Sequence, residues 1–116
     1  MHFKLIIALV DEASTSDIMK AARKAGATGA TVVGDARGEG LSPAKTFFGL
    51  NLEARRDMLM FLVEEHLSRQ VLEHIAATGG FDENPGRGLA FQLDVEDTIG
   101  LKTQIEAIVE EVEEEL

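Results

Sequence analysis

Short apolar runs and helical stripes alternate along this chain in an order that few folds can accommodate. The run at residues 2–10 predicts a buried strand, because it is short and rich in bulky apolar side chains. Apolar residues then recur at helical spacing, at Ile18, Ala21, Ala22 and Ala25. Residues 28–36 contain three consecutive β-branched side chains and predict a second strand. The first part of the chain is therefore a β-α-β unit.

A second unit of the same kind follows. Residues 57–63 form an apolar run that predicts a strand, and residues 89–95 predict another. Between them lies a helical stripe made of Leu67, Val71, Leu72 and Ile75. Gly79 and Gly80 are expected to end that helix. Two such units predict an α+β fold, a ferredoxin-like βαββαβ sandwich in which two helices cover one face of an antiparallel sheet.

The C-terminal segment, residues 101–116, predicts an additional amphipathic helix surrounded by glutamates. Its apolar stripe consists of Ile105, Ile108, Val109, Val112 and Leu116. A four-stranded sheet with both helices on one face leaves its other face bare. Either this helix or a second copy of the chain must cover that face, so we expect a homo-oligomer whose closed symmetry repeats any cleft between copies.

Composition narrows the class of protein. A chain of 116 residues with 45% apolar content makes a single domain over 1–116. Without cysteine it has neither disulfides, thiolate metal sites nor a cysteine nucleophile. The net charge of −10 argues against binding to nucleic acid. No apolar run reaches bilayer-spanning length and no signal-peptide cleavage pattern follows the first strand, so we expect a cytoplasmic protein without membrane insertion.

The segment at residues 38–56 lacks sustained periodicity, and a loop of that length in a small domain usually has a function. Phe47 and Phe48 lie in it, next to the cations Lys45, Arg55 and Arg56. Aromatic and basic side chains together are typical of a docking segment for a partner protein. The alternative is that both phenylalanines fold back onto the core.

Glycines flank the strand ends where ligands often bind. Gly38, Gly40, Gly86 and Gly88 would let backbone N–H groups approach an anion closely. Arg87 could add a bidentate charged contact. The alternative is that these glycines only form turns.

In the order and spacing of its segments, the chain resembles the PII signalling proteins, and more closely their PII-like branch. The resemblance covers about residues 3–102. It rests on five pieces: KLIIALV, the helix-ending glycine of GATGATVV, the ARGEG turn before the long loop, MLMFLV leading into EEHLSRQVLEHI, and TGG followed by GRGLAFQLDV. It implies a trimer with an adenine nucleotide in each cleft between subunits. It also implies that the long loop, the T-loop at 38–56, docks on a partner such as a membrane transporter.

The resemblance also implies roles for individual residues. Ala30 and Thr31 match positions that face the base, and Leu62 and Val63 match the apolar strand end that lines its pocket. The root of the T-loop is matched by Arg37, Gly38, Glu39 and Gly40. The phosphate-side loop is matched by Gly86, Arg87, Gly88 and Leu89. Lys102 falls at a late basic position of the family.

Departures from the family pattern affect the expected ligand. Leu89 stands where nucleotide-binding members have a lysine, Gly100 where they have an arginine, and Glu39 adds a negative charge. Each missing cation weakens attraction for a polyphosphate by roughly 1.5–3 kcal/mol. AMP, ADP or a cyclic nucleotide is therefore favoured over ATP. The alternative is that the chain binds no nucleotide. The chain has no tyrosine, which excludes uridylylation of that residue.

Two other classes of function compete with this one. One is a trimeric divalent-metal binder resembling the CutA proteins, and the other is a small enzyme. His66 and His74 are two helical turns apart, too far for a metal-binding pair at i and i+4. The acids Asp94, Glu96 and Asp97 are interpreted as hydrated. No catalytic constellation is visible in the sequence, so we expect a protein without enzymatic activity.

Overall fold

Six strands and two α-helices are present in the part of the chain that the computed structural model describes. That part comprises residues 1–36, 46–47, 50–51, 56–84 and 86–102, with 105–106, 109–110 and 113 beyond them. The strands are β1 Phe3–Asp11, β2 Thr31–Ala36, β3 Thr46–Phe47, β4 Leu50–Asn51, β5 Arg56–Glu64 and β6 Gly88–Val95. The helices are α1 Thr15–Ala25, preceded by a 3-10 turn at Glu12–Ser14, and α2 Glu65–Gly79.

The long strands form one sheet in the order β2-β5-β1-β6, and every neighbouring pair in it is antiparallel. Strand β1 lies in the interior, with Ile6 opposite Phe61 of β5 and Gln92 of β6. The short strands β3 and β4 pair as a separate two-stranded sheet within the segment that the sequence predicted as a loop. The ferredoxin-like prediction is confirmed, and β2 and β6 are the two edges of its sheet.

Local signals set the helix ends. Gly26 follows α1 with a φ of 130°, and Gly80 follows α2 in the left-handed region with a φ of 62°, both conformations that a side chain disfavours. At the start of α2, the carboxylate of Glu64 accepts a hydrogen bond of 2.8 Å from the His66 N–H. Ser14 occupies the N-cap position of α1 without a capping hydrogen bond from its side chain.

The core lies between the sheet and the two helices. Alternate residues of the two interior strands point into it, and α1 and α2 pack side by side over them. The most deeply buried apolar residues are Ile6, Ala8, Val10, Ile18, Ala22, Leu59, Phe61, Val63, Leu67, Val71 and Ile75. This pattern follows from the period of two in each strand and the stripe on each helix.

The intervening residues of the same strands lie on the opposite face of the sheet, which we call the open face. It carries Leu5, Ile7, Leu9, Met58, Met60, Leu62, Leu89, Phe91 and Leu93, aligned by the strand register. Phe91 and Leu93 are 38% and 48% exposed in the single chain. A sheet face this apolar is expected to be covered by protein.

The predicted C-terminal helix is partly described. The backbone is helical at 102, 105–106, 109–110 and 113, and the Ile105 N–H bonds to the carbonyl of Leu101 at 2.8 Å. The described helices include none that is both long and apolar enough to cross a membrane.

Introducing a charge on the open face should disrupt assembly. Phe91→Lys places an ammonium among apolar side chains, and its desolvation on association would be costly. We expect sedimentation velocity to show a smaller species than for the unmodified chain. Thr78→Lys, which adds the same charge at an exposed position on α2, is the matched control. An unchanged sedimentation coefficient for Phe91→Lys would show that the open face is not an interface.

Candidate functional site

A pocket of about 240 Å³ opens where the start of β2 meets the open face of β5. We call it the β2-edge pocket. Its lining consists of Phe3, Thr28, Gly29, Ala30, Thr31, Met60, Leu62 and Leu101. Three of the residues that the sequence assigned to base recognition, Ala30, Thr31 and Leu62, meet there.

The pocket owes its shape to a short stretch without regular structure. After α1 ends, the Ala27 N–H bonds to the carbonyl of Ala22 at 2.9 Å, which fixes the direction of the chain. The exposed residues 28–30 then lead into β2, where Thr31 pairs with Met60. A lining that is mainly apolar and includes Thr28 and Thr31 suits a flat, mainly apolar group with polar edges.

Val63 lies outside this pocket. It is 1% exposed and belongs to the helix-facing core, because consecutive strand residues point to opposite faces. The sequence assignment also missed Phe3, Met60 and Leu101. The period of two in β5 could have identified Met60, which shares a face with Leu62. Lys102 is exposed directly after Leu101.

The turn at Gly86–Gly88, which we call the glycine turn, leads into β6. Gly86 has a φ of 83°, and the Arg87 N–H bonds to the carbonyl of Asn84 at 3.1 Å. A Cβ at position 88 would lie 2.2 Å from the ring of Phe81, so Gly88 is required for packing whatever else it does. Leu89, next in β6, is half-buried on the open face.

Two arginines and one aspartate hold this turn. Arg56 is buried and donates hydrogen bonds to the carbonyls of Gly86 and Arg87, at 2.8 and 3.1 Å. Asp11 accepts from Arg56 at 2.9 Å, and its other oxygen lies 3.7 Å from Nε of Arg87. Arg87 also donates to the Ser14 hydroxyl at 3.3 Å, and its side chain is 46% exposed. The sequence placed Arg56 on a docking surface, whereas the structure places it inside the chain.

The β2-edge pocket and the glycine turn lie at opposite edges of the sheet. Strands β2 and β6 are separated by β5 and β1, a width of about 14 Å at about 4.8 Å between neighbouring strands. The two features can therefore face each other only where the β2 edge of one chain approaches the β6 edge of another.

Other predicted site residues lie outside the described part of the chain. They are Arg37, Gly38, Glu39, Gly40, Lys45, Phe48 and Arg55. Phe47 ends β3, and its side chain is also outside the described part.

One group of possible metal ligands occurs among the described residues, at Glu64, Glu65 and His66, whose ligand atoms lie within 4.8 Å of one another. The buried Glu64 already binds the His66 N–H with one oxygen and contacts the His66 Nδ1 with the other at 2.5 Å. This group is therefore a helix cap joined to an ion pair. The hydrogen bond between the His66 ring and the Glu64 carboxylate raises the pKa of His66 above the ordinary value. The negative charge of Glu64 is the second, smaller cause.

Two other candidate cation ligands, His74 and Asp94, have partners within the described part of the chain. His74 Nδ1 lies 2.7 Å from the carbonyl of Gln70. Asp94 forms an ion pair with Lys4, and the hydrogen bond and charge of that lysine lower the pKa of Asp94. These contacts give the side chains structural roles on the surface.

Comparison with known proteins identifies the family. The family model for the nitrogen regulatory protein P-II matches residues 3–105. The chain therefore belongs to the P-II family, whose members are regulatory signal transducers and typically trimers. Among curated proteins, none matches the chain.

Solved PII-like structures share the fold. The apo form of CPII from Thiomonas intermedia K12 is 21% identical, with a TM-score of 0.62 over 82% of this chain and 90% of that one. A PII-like signalling protein from Thermus thermophilus is 20% identical, with a TM-score of 0.60 over 82% and 87%. CPII bound to ADP, AMP and acetate is 21% identical, with a TM-score of 0.59 over 83% and 90%.

The Glu64–His66 pair should give stability a pH dependence. The fold raises the pKa of His66, so the protonated His66 stabilises the folded state. This contribution to the free energy of unfolding is fully present below pH ~6.5 and is lost as the pH rises through the raised pKa. Urea unfolding is measured at fixed protein concentration from pH ~5.5 to ~8.5. Over this range the free energy of unfolding should fall less for His66→Gln than for the unmodified chain. His74→Gln, on the same helix, is the control. Equal pH slopes for the unmodified chain and His66→Gln would contradict this assignment.

Proposed function

We propose that this protein is a PII-like regulator that binds a small adenine nucleotide in clefts between the copies of a homotrimer. The observation that carries the proposal is the placement of the β2-edge pocket and the glycine turn at opposite sheet edges. A ring of copies would bring the two together at every interface. The binding of ADP and AMP by CPII, a protein of the same fold, supports the choice of ligand.

In this proposal the base enters the β2-edge pocket and the phosphate meets the glycine turn of a neighbouring copy. Ala30, Thr31 and Leu62 would contact the base, and Arg87 would contact the phosphate. Lys102 is a second exposed cation. The carboxylate of Asp11 already neutralises part of the positive charge of Arg87, and Leu89 supplies no cation. AMP or ADP is therefore preferred to ATP, and a cyclic nucleotide is the closest competitor.

The signal would leave through the segment at residues 38–56, which we assign as the T-loop of a single domain over 1–116 that ends in the acidic helix at 101–116. Ala36, which ends β2 before this segment, pairs in register with Arg56, the last residue of the segment. A ligand that prefers one arrangement of the segment would shift its equilibrium and thereby bias docking of a partner. The proposed partner is a protein in the cytoplasm or the cytoplasmic side of a membrane transporter. No catalytic step is involved.

Titration calorimetry tests the ligand proposal. We expect AMP and ADP to bind more tightly than ATP, with about one site per chain. Arg87→Gln should weaken AMP binding about tenfold, the loss of one charge-assisted hydrogen bond. Arg23→Gln, which removes an exposed arginine near the far end of α1, should leave binding unchanged.

A parallel titration with divalent metals addresses the alternative of a CutA-like metal-binding protein. Saturable metal binding in a fixed ratio to the chain, with no heat from any nucleotide, would overturn the proposal. Weak, non-saturating metal binding alongside nucleotide binding would support it.

If the loop docks on a partner, a substitution in it should change partner capture without changing AMP affinity. Replacing Phe47 and Phe48 together by Ala should weaken capture of the partner and leave AMP affinity within about twofold, because the proposal assigns these aromatic residues to docking and not to the ligand. Pull-down from a lysate with and without AMP, beside calorimetry on the same variant, measures both. The opposite result, lost AMP binding with intact capture, would show that the roles are reversed.

A further inference from the structure

Arg56 is a buried arginine that binds the backbone of a distant turn. It is 6% exposed at the start of β5, and its two terminal nitrogens donate to the carbonyls of Gly86 and Arg87. These acceptors are 30 and 31 residues further along the chain. Two hydrogen bonds from one rigid guanidinium fix the orientation of both peptide groups.

Asp11 holds Arg56 in that position. It ends β1, the strand between β5 and β6, and is directly paired with Arg56 in the register. Its carboxylate accepts from Arg56 at 2.9 Å. A buried arginine needs such a counter-charge together with hydrogen-bond acceptors, and here the acceptors are the carbonyls of the glycine turn. The guanidinium thus reaches across β1 and connects two strands that are not neighbours.

This arrangement affects how the glycine turn meets an anion. Carbonyl oxygens carry partial negative charge and repel phosphate, and Arg56 keeps two of them directed towards itself. In a trans peptide the N–H points opposite to the carbonyl, so the Gly88 N–H is directed away from Arg56. The turn is held in one shape before any ligand arrives, which lowers the entropy lost on binding.

Building on the proposed function, we propose that Arg56, fixed by Asp11, is a positioning residue for phosphate recognition at the glycine turn. It shapes the turn without touching the ligand. Arg56 also pairs in register with Ala36, the last residue of β2, so the residue that holds the turn is paired with the strand that precedes the segment at 38–56. This role replaces the docking role that the sequence suggested for Arg56.

The test compares AMP with adenosine, which lacks the phosphate. In the unmodified chain we expect AMP to bind more tightly than adenosine. Arg56→Gln should weaken AMP binding about tenfold and leave adenosine binding within about twofold. Arg56→Lys keeps the charge but has a single donor nitrogen, so it should restore AMP binding only partly. Arg23→Gln, which removes one positive charge from α1, is the control for the change in net charge.

Circular dichroism and sedimentation establish that each variant is folded and assembled. If Arg56→Gln does not fold, Arg56→Lys carries the test, with a smaller loss confined to AMP. An AMP-to-adenosine affinity ratio unchanged in the variants would overturn the positioning role, as would an equal loss for both ligands. If the unmodified chain binds neither ligand, or binds AMP no better than adenosine, the proposed function fails instead.

Discussion

Apolar side chains on both faces of the interior strands are the constraint on which the rest of the structure depends. Strand β1 places Ile6, Ala8 and Val10 under the helices, and its intervening residues on the open face. A strand that is apolar on both sides must be covered on both sides. Helices α1 and α2 cover one face. The other face is left for the C-terminal helix or for a second copy of the chain, and assembly from several copies is typical of the P-II family.

The same constraint explains why the two parts of the candidate site, the β2-edge pocket and the glycine turn, lie at opposite edges of the sheet. Helices occupy one face of the sheet, and the open face is suited to contact between copies, so the edges are where a ligand can reach both backbone and side chains. The β2 edge offers an apolar pocket, and the β6 edge offers a glycine turn with an exposed arginine. The apolar wall and the exposed Arg87 thus lie at different edges, which is why we place the nucleotide between chains.

The resemblance to the PII-like proteins pointed to part of this candidate site. Ala30, Thr31 and Leu62 were assigned to base recognition and do line one pocket. Val63 was grouped with Leu62 because the two are adjacent in the sequence, yet adjacent strand residues face opposite ways. Arg56 was grouped with the basic residues of the loop. Its burial depends on Asp11 and the carbonyls at 86 and 87, which no local pattern connects with it.

The sequence by itself determined the order of the four long strands and the helices α1 and α2, the glycines that end these helices, and the presence of two apolar faces, because these follow from local periodicity and backbone preference. Only the tertiary structure decided which strands lie at the edges, which side chains share a pocket, and that Arg56 joins Asp11 to the glycine turn. The contacts of Arg56 alone link residues that are 30 to 45 positions apart. The free energy of such long-range contacts depends on the packed arrangement of the whole sheet, and a short stretch of sequence does not encode it.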